Sequence, residues 1–353
     1  MHRRFSTTPV WLLLLPLILA GCSTAQSTYH TEGHAAHEIA KLSWFMTILF
    51  LVVTAVMWVL LFFAVTRRRG TLSEHAPVDS GGGMAWIAIG GLAIPLLVLS
   101  LIFILGLRLL SAFPIHGAHG AMDMNHGAMN RGEVKSPDIL VIGHQWWWEV
   151  HYLHGDLDQQ FTTANEIHIP TNQPVDIELE SADVMHSFWI PGLHGKVDLI
   201  PGHINFVRLE ASHVGSFPGQ CAEYCGAQHS HMRLLVVAQP ADEYAAWTQQ
   251  QVKPATDPTT AIARAGEQTF VAGPCSLCHQ VRGTTSGGRV GPDLTHVGSR
   301  QYLAANTIPN NDAYLEAWIT HAQSFKPEAQ MPDLTQFDGR QLQGLVAYLR
   351  QLQ

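Results

Sequence analysis

Two stretches of the chain concentrate side chains that bind redox-active metals. The first, residues 221–232, holds two cysteines, two histidines and a methionine, and a further histidine, His186, lies upstream. Sulfur ligands combined with imidazole are the donors that copper prefers. Because two thiolates can bridge two metal ions and delocalise one electron across them, this stretch predicts a copper centre that transfers electrons.

Other chemistry fits the same spacing. A Cys221–Cys225 disulfide would form readily in an oxidising compartment. A single zinc ion or a mononuclear blue-copper ion would also use cysteine and histidine ligands. The spacing alone leaves these alternatives open.

The second stretch is Cys275-Ser276-Leu277-Cys278-His279. C-x-x-C-H is the pattern of covalent haem c attachment, in which the two thiols bond to the vinyl groups and the histidine binds iron. A redox-active C-x-x-C pair or a chance occurrence is the alternative. We predict haem attachment at Cys275 and Cys278, with His279 as an axial ligand.

The N-terminus carries the features of an export signal. Arg3 and Arg4 precede an apolar run over residues 10–20, which is too short to span a bilayer. The run ends in Leu19-Ala20-Gly21-Cys22, which resembles the lipobox of bacterial lipoproteins. We therefore expect a signal peptide over residues 1–21, lipidation of Cys22 and an extracytoplasmic segment over 22–41. The alternative is an uncleaved anchor.

Two longer apolar runs predict a transmembrane hairpin over residues 42–110. Residues 42–65 and 84–107 contain no charged side chain, and each can cross about 30 Å of hydrocarbon as a helix. Arginines at 67–69 make the connecting loop cytoplasmic by the positive-inside rule. Both ends of the mature chain then lie outside the cytoplasm.

A linker over residues 111–135 follows the hairpin. Within it, residues 115–130 interleave histidines with methionines, which could bind copper transiently, although a flexible linker is the preferred interpretation. The whole chain has a formal net charge of −8, which argues against nucleic acid as a partner.

Residues 136–240 predict an all-β domain. Short apolar runs separated by Asn, Pro and Gly are typical of a Greek-key sandwich or barrel. Acidic residues outnumber basic ones twelve to three, so the surface would attract basic partners unless it is merely a solvated face. The predicted strands lie at 139–142, 166–169, 175–179, 205–209 and 233–237.

A connector over residues 241–258 leads to an all-α domain over 259–353. Gly266 and Phe270 share one face of a predicted helix before the haem motif. Leu345, Tyr348 and Leu349 mark one face of a final helix. Two such terminal helices that enclose a haem are similar to class I cytochromes c.

Residues 221–232 resemble the binuclear CuA loop of cytochrome c oxidase subunit II. The resemblance extends over both apolar runs and the domain to about Pro240. It implies a cupredoxin fold. It also implies that the Glu223 carboxylate faces a magnesium ion shared with subunit I, while His231 matches no ligand position. The copper ligands that it implies are His186, Cys221, the backbone carbonyl of Glu223, Cys225, His229 and Met232.

Two further resemblances concern electron transfer. Gly143-His144-Gln145-Trp146-Trp147-Trp148-Glu149 is similar to the subunit II segment in which Trp146 is the surface aromatic that receives electrons from cytochrome c. Alternation along a strand would place Trp146 and Trp148 on one face, and at least one tryptophan is expected in the core. Met331-Pro332 resembles the class I cytochrome c segment that supplies the distal haem ligand, which would be Met331.

The complete order of segments resembles subunit II of the caa-type haem-copper oxidases. A multidomain membrane protein is implied, with a two-helix hairpin, an all-β cupredoxin domain and an all-α class I cytochrome c domain. The implied role is electron transfer through haem c and CuA to catalytic subunit I, which reduces O2 to water in the respiratory chain. Subunit III and an external cytochrome c or other donor are further expected partners. The expected location is the bacterial cytoplasmic membrane, with the soluble domains on the periplasmic side.

The sequence leaves two other functions open. The chain could be the CuA-bearing subunit of a nitric oxide reductase, since the catalytic subunit is a separate chain. It could also be a membrane-anchored electron carrier without an enzyme partner. Two apolar spans argue against the carrier, because a lipid and one span would anchor it.

Overall fold

The computed structural model describes residues 26–67, 83–112 and 137–353, without the side chains of 111 and 112. The predicted signal peptide, Cys22 and the segment 115–130 lie outside these residues. The chain divides into one unit of Met1–Ala36 with Ile115–Gln353 and a second unit of His37–Pro114.

Two long apolar helices dominate the second unit. Helix α1 is His34–Thr66, and α2 is built from Gly83–Trp86, a π-helical stretch Ile87–Ala93 and Ile94–Ala112. Their most apolar windows have mean hydropathies of 2.9 and 2.7 with no buried residue, so their large apolar side chains are exposed. Water would disfavour this exposure and lipid would not. The two predicted spans are confirmed as helices, and α1 begins before the apolar run that predicted it.

The π-helical stretch of α2 lies next to Pro95. Proline lacks an amide hydrogen, and its ring clashes with the carbonyl four residues earlier. Widening the preceding turn relieves this clash. Helix α2 therefore accommodates Pro95 through a π-helical segment.

Residues 137–240 form two mixed five-stranded sheets with the orders β3-β2-β1-β5-β8 and β4-β10-β9-β6-β7. Alternate residues of β1 and β5 are buried, which explains the period-two pattern of the sequence. The fully buried Trp148 packs edge-to-face on Phe188 in the core, with ring centroids 5.8 Å apart. The expected all-β cupredoxin-like domain is confirmed. Its strands are β1 Ile139–His144, β2 Trp147–Tyr152, β3 Phe161–Ala164, β4 Glu166–Pro170, β5 Val175–Ser181, β6 His186–Trp189, β7 Val197–Leu199, β8 Asn205–Leu209, β9 Gly215–Cys221 and β10 Arg233–Gln239.

The residues before α1 belong to this β domain. The amides of Glu32 and Gly33 donate to the carbonyl of Gly192 at 2.8 and 3.0 Å, and the Ser212 amide donates to the carbonyl of Glu32 at 2.9 Å. A Cβ at Gly33 would lie 2.3 Å from the carbonyl oxygen of Leu193, so only glycine permits this approach. The β domain is thereby bound to the chain segment that leads into α1.

Residues 241–353 are mainly helical. Gly266 of α4 meets Gly344 of α8, where a Cβ on Gly266 would lie 1.9 Å from the Gly344 carbonyl. The Phe270 and Tyr348 rings pack 5.7 Å apart. The predicted pair of terminal helices in an all-α domain is confirmed. The elements are α3 Ala241–Val252, α4 Ala261–Ala272, α5 Cys275–Cys278, β11 Tyr302–Leu303, β12 Ile308–Pro309, α6 Asp312–Thr320, α7 Ala322–Phe325 and α8 Gly339–Gln351.

Candidate redox centres

The predicted copper ligands converge at one end of the β domain. Cys221 ends β9 and His186 begins β6, and their Sγ and Nδ1 atoms lie 4.0 Å apart. The Cys225 Sγ lies 3.6 Å from His229 Nδ1 and 3.8 Å from Met232 Sδ. The structure therefore brings together all five of the predicted side-chain ligands.

The two thiols of this cluster are unbonded. Their Sγ atoms are 3.7 Å apart, far beyond the roughly 2.05 Å of a disulfide. The Glu223 carbonyl oxygen lies 3.2 Å from the Cys221 Sγ, which adds the predicted backbone donor. The combined set has more donors than the four of a tetrahedral zinc site, and its mixture of thiolate, imidazole and thioether fits copper.

The geometry also favours the thiolate state that metals bind. The hydrogen bond with Cys225 lowers the pKa of the Cys221 thiol, and the hydrogen bond with His186 acts in the same direction against desolvation. The same interaction raises the pKa of Cys225. The two thiols therefore titrate as a coupled pair, in which a hydrogen bond from the remaining thiol stabilises the first thiolate.

Asp183 orients the histidine of the copper cluster. One Asp183 carboxylate oxygen lies 2.8 Å from His186 Nε2, while the other accepts the Gln145 amide at 2.7 Å. The His186 Nδ1 is thereby left for the cysteines. His231 Nδ1 instead contacts Gln228 Oε1 at 2.7 Å, in keeping with its place as a neighbour of the cluster.

The three tryptophans occupy different environments. Strand β2 begins at Trp147, so Trp146 lies in the preceding turn and the expected strand alternation does not include it. Trp148 is fully buried and is the expected core residue, while Trp147 stacks on His144 at 4.5 Å. Trp146 is only 8% exposed. The expectation of a surface aromatic therefore differs from this structure, because Trp146 packs with the core of the β domain and lines the cavity described below.

The predicted haem ligands line a cavity of about 310 Å³. Cys275, Cys278, His279 and Met331 all border it, and most of its other lining residues are apolar. His279 Nδ1 contacts the Pro292 carbonyl oxygen at 2.8 Å, which leaves Nε2 available for a metal. Burial lowers the pKa of His279 and so favours the neutral imidazole that binds iron. These residues fit a covalently attached haem.

The methionine side of the cavity is held by a glutamine. Gln323 Nε2 donates to the carbonyl oxygens of Met331 and Ala329 at 2.7 and 2.8 Å. The backbone amide of Gln323 in turn donates to the Asp333 carboxylate at 2.8 Å. The loop that presents Met331 is thus fixed on both sides of that residue.

The cavity wall includes residues of both domains. Gln145, Trp146 and Trp147 come from the β domain, and the remaining wall comes mainly from the helical domain. The Trp146 Nε1 also donates to the Cys225 carbonyl oxygen at 2.9 Å. Trp146 therefore touches both candidate redox sites.

Two known families match the chain. The family described as "Cytochrome C oxidase subunit II, periplasmic domain" matches residues 154–239, and the family described as "Cytochrome c" matches residues 263–353. The chain therefore carries a domain that matches the periplasmic domain of cytochrome c oxidase subunit II, followed by a domain that matches cytochrome c. Its fused cytochrome c domain follows the subunit II domain, in the order expected for the caa type.

Two similar proteins are both described as cytochrome c oxidase subunit 2. Cytochrome c oxidase subunit 2 of Alkalihalophilus pseudofirmus is 40% identical over 61% of this chain and 60% of its own length. The Bacillus subtilis protein of that name is 28% identical over 91% of this chain and 90% of its own length. The periplasmic domain of Bradyrhizobium japonicum subunit II is 28% identical over 33% of this chain and 94% of its own, with a TM-score of 0.31.

Sequence reasoning missed one residue at the boundary of the subunit II and cytochrome domains. The Lys326 side chain is almost completely buried, and its Nζ donates to the carbonyl oxygens of Trp146, His231 and Ala304. Burial lowers its pKa to about 7, while the nearby Cys225 acts in the opposite direction. The available signal was that Lys326 is the only lysine after Lys253.

Proposed function

We propose that this chain is the electron-accepting subunit of a respiratory cytochrome c oxidase. It takes electrons through haem c and a CuA centre and delivers them to catalytic subunit I, which reduces O2 to water. The observation that carries the proposal is the position of Trp146, which lines the haem cavity and bonds to the copper loop.

His186, Cys221, Cys225, His229, Met232 and the Glu223 carbonyl would hold the two copper ions of CuA. When bound, that centre accepts and releases one electron at a time. The β-strands around these residues limit their movement, which keeps the reorganisation small on a change of charge. The 3.7 Å separation of the two sulfur atoms supports ligands that are shared between two metal ions.

Cys275 and Cys278 would attach the haem covalently, with His279 and Met331 as its axial ligands. When bound, the haem supplies a second one-electron centre, and methionine ligation raises its potential. The apolar wall of the cavity excludes water from the ring. Trp146 would be the aromatic contact between this centre and the copper loop.

The Glu223 carboxylate would contribute to a magnesium site shared with subunit I. Its side chain is 40% exposed, so it can face a partner. Lys196 Nζ lies 3.5 Å from Glu223 and 3.1 Å from Asp198, and balances the two carboxylates. Carboxylates are usual magnesium ligands.

The proposed partners are subunit I, subunit III and an external cytochrome c or other donor. The two apolar helices support a membrane anchor, and the β domain corresponds to a family described as periplasmic. Arg67 at the end of α1 supports a cytoplasmic connecting loop. The bacterial cytoplasmic membrane and lipidation at Cys22 complete the proposal.

The test uses the intact complex isolated with its membrane partners. We expect copper and haem c in this chain, and consumption of O2 on addition of a reduced donor. Consumption of NO in place of O2 would favour the nitric oxide reductase alternative. An isolated chain that carries both cofactors but has no catalytic partner would favour the membrane-anchored carrier.

A further inference from the structure

A single lysine of the cytochrome domain reaches into the cupredoxin domain. Lys326 follows α7, and its side chain is 3% exposed. Its Nζ donates to the carbonyl oxygens of Trp146 at 2.7 Å, His231 at 3.0 Å and Ala304 at 3.4 Å. In its protonated form the amino group has three hydrogens and no acceptor, so each hydrogen can be donated to one of the three carbonyl oxygens.

The two cupredoxin carbonyls belong to residues beside the candidate redox centres. Trp146 lines the haem cavity and bonds to the copper loop at Cys225. His231 directly precedes Met232, whose sulfur lies 3.8 Å from that of Cys225. Lys326 therefore fixes the cytochrome domain to the backbone on two sides of the copper cluster.

The turn between β11 and β12 adds a second contact to the same loop. Ala304, Ala305 and Asn306 all have left-handed backbones, with φ of 53°, 54° and 56°. Such a run of residues other than glycine is unfavourable and persists only where the surroundings impose it. Here the Ala305 carbonyl oxygen accepts the amide of Arg233, the residue that follows Met232, at 3.2 Å.

The cupredoxin domain also accepts a bond outside the copper loop. The amide of Gln301, just before β11, donates to the buried Glu166 carboxylate at 2.9 Å. The two domains are therefore joined both just before β11 and within the β11–β12 turn. Buried bonds of this kind define one orientation instead of a range of orientations.

The geometry points to Lys326 as a positioning residue that locks the cytochrome domain in one orientation, with the haem cavity against Trp146. This inference rests on the proposed electron transfer from haem c to CuA. Two tethered domains that move freely must find the productive orientation before each electron transfer. A fixed orientation removes this step, so transfer from haem to copper is faster. Lys326 contributes no ligand and no redox chemistry.

The test compares Lys326→Met with the unaltered full-length chain, both carrying haem c and copper. Methionine keeps a long unbranched side chain but loses the three donors. The haem is reduced photochemically, and the haem and copper absorbances are followed separately. We expect transfer from haem to copper to slow by about tenfold, since the locked orientation loses population. Reduction of the haem by a small reductant should be unchanged, and both reduction potentials are measured so that the transfer rates are compared at equal driving force.

Two further variants control for charge and for shape. Lys253→Met removes an ammonium group that is exposed, and it should transfer electrons at the unaltered rate. Lys326→Arg keeps a charge and several donors, so it should retain more of the rate than Lys326→Met. This order would not arise from a general loss of stability.

Equal transfer rates in Lys326→Met and the unaltered chain, with both cofactors present, would contradict the proposed role of Lys326 in fixing the orientation of the cytochrome domain. An unaltered chain that never passes electrons from haem to copper would instead overturn the proposed function. If Lys326→Met fails to assemble, hydrogen exchange of the unaltered chain decides. The amides of Arg233 and Gln301 should then be protected, and rapid exchange at both would contradict a locked orientation.

Discussion

The indole N–H of Trp146 donates a 2.9 Å hydrogen bond to the carbonyl oxygen of Cys225, 79 residues further along the chain. The Gln145 Nε2 donates to the same oxygen at 2.7 Å. A Cβ on Gly226 would lie 3.0 Å from the Trp146 ring, so the backbone after Cys225 lies directly against the indole. One side chain therefore connects the copper loop with the wall of the haem cavity.

Replacement of Trp146 should slow electron transfer between the two centres. In Trp146→Ala we expect slower oxidation of haem c by copper, because the aromatic contact between them is removed. Both cofactors should remain, since none of their predicted ligands changes and Gln145 still bonds to the Cys225 carbonyl. Stopped-flow spectroscopy at separate haem and copper wavelengths measures the step.

Trp146→Phe is the matched comparison, because it keeps a ring but loses the N–H. An intermediate rate would indicate that ring and hydrogen bond both contribute. An unaltered rate in Trp146→Ala, with the fold intact, would mean that electrons take another route. Trp146 would then be a packing residue only.

Removal of the Cys221 thiol should abolish the proposed copper centre. Cys221→Ser should lose the delocalised mixed-valence signal in electron paramagnetic resonance, because a hydroxyl does not replace a thiolate towards copper. The haem spectrum should persist, since its attachment residues lie in another domain. His231→Gln is the control and should retain copper, because His231 contacts Gln228 instead of the cluster. A normal copper signal in Cys221→Ser would contradict the ligand set.

The distal haem ligand can be tested without detaching the haem. Met331→His should keep the haem, which Cys275 and Cys278 still hold, but lower its reduction potential because imidazole replaces thioether. Electron delivery from the donor should slow, while copper content stays normal. Redox titration followed by haem absorbance measures the shift. An unchanged potential and spectrum would exclude Met331 as a ligand.

Both candidate centres could be predicted because their ligands are concentrated in short stretches. Four of the predicted copper ligands lie in one loop of the folded chain, namely Cys221, Cys225, His229 and Met232. The C-x-x-C-H pattern is equally local in the sequence. His186 lies 35 residues before Cys221 and needed the family resemblance, since no local pattern joins it to the loop. The apolar helices followed from composition alone.

Contacts between domains could not be predicted in this way. Lys326 and Trp146 are 180 residues apart, and nothing near either residue specifies the other. Trp146 was expected at a surface, but it packs with the core of the β domain and lines the haem cavity. The bonds from Glu32 and Gly33 to Gly192 are another long-range case, because turn and loop residues carry no periodic signal.

The lipid anchor remains a prediction from the sequence. Leu19-Ala20-Gly21-Cys22 should be cleaved before Cys22, and its thiol should be acylated. Mass spectrometry of the mature N-terminus detects the added lipid. Cys22→Ser is the control and should lack it. A mature chain that begins at Met1, or that carries a free Cys22 thiol, would contradict the prediction.

Acid should destabilise the cupredoxin domain partly through Glu149. Its carboxylate lies 2.8 Å from His144 Nε2 and 3.0 Å from His151 Nε2. Burial alone would raise the pKa of Glu149, but these two hydrogen bonds lower it from 4.5 to about 2. A carboxyl with a lowered folded-state pKa stabilises the fold above the unfolded value and loses that stabilisation as the pH falls. The contribution should therefore be complete above about pH 4.5 and decline towards pH 2.

Glu149→Gln should lower the unfolding temperature by a few degrees at neutral pH, equivalent to about 1 kcal/mol for a partly exposed pair. The difference from the unaltered chain should shrink as the pH falls through the same range. Glu178→Gln is the control in which the change in stability should have the opposite sign, because burial and the neighbouring Glu180 raise the pKa of Glu178. Its charged form costs stability, so this variant should be more stable at neutral pH. Tryptophan fluorescence during heating of the full chain measures the unfolding temperature of both variants. An effect of Glu149→Gln that does not depend on pH would show that the two histidines do not act through the charge of Glu149.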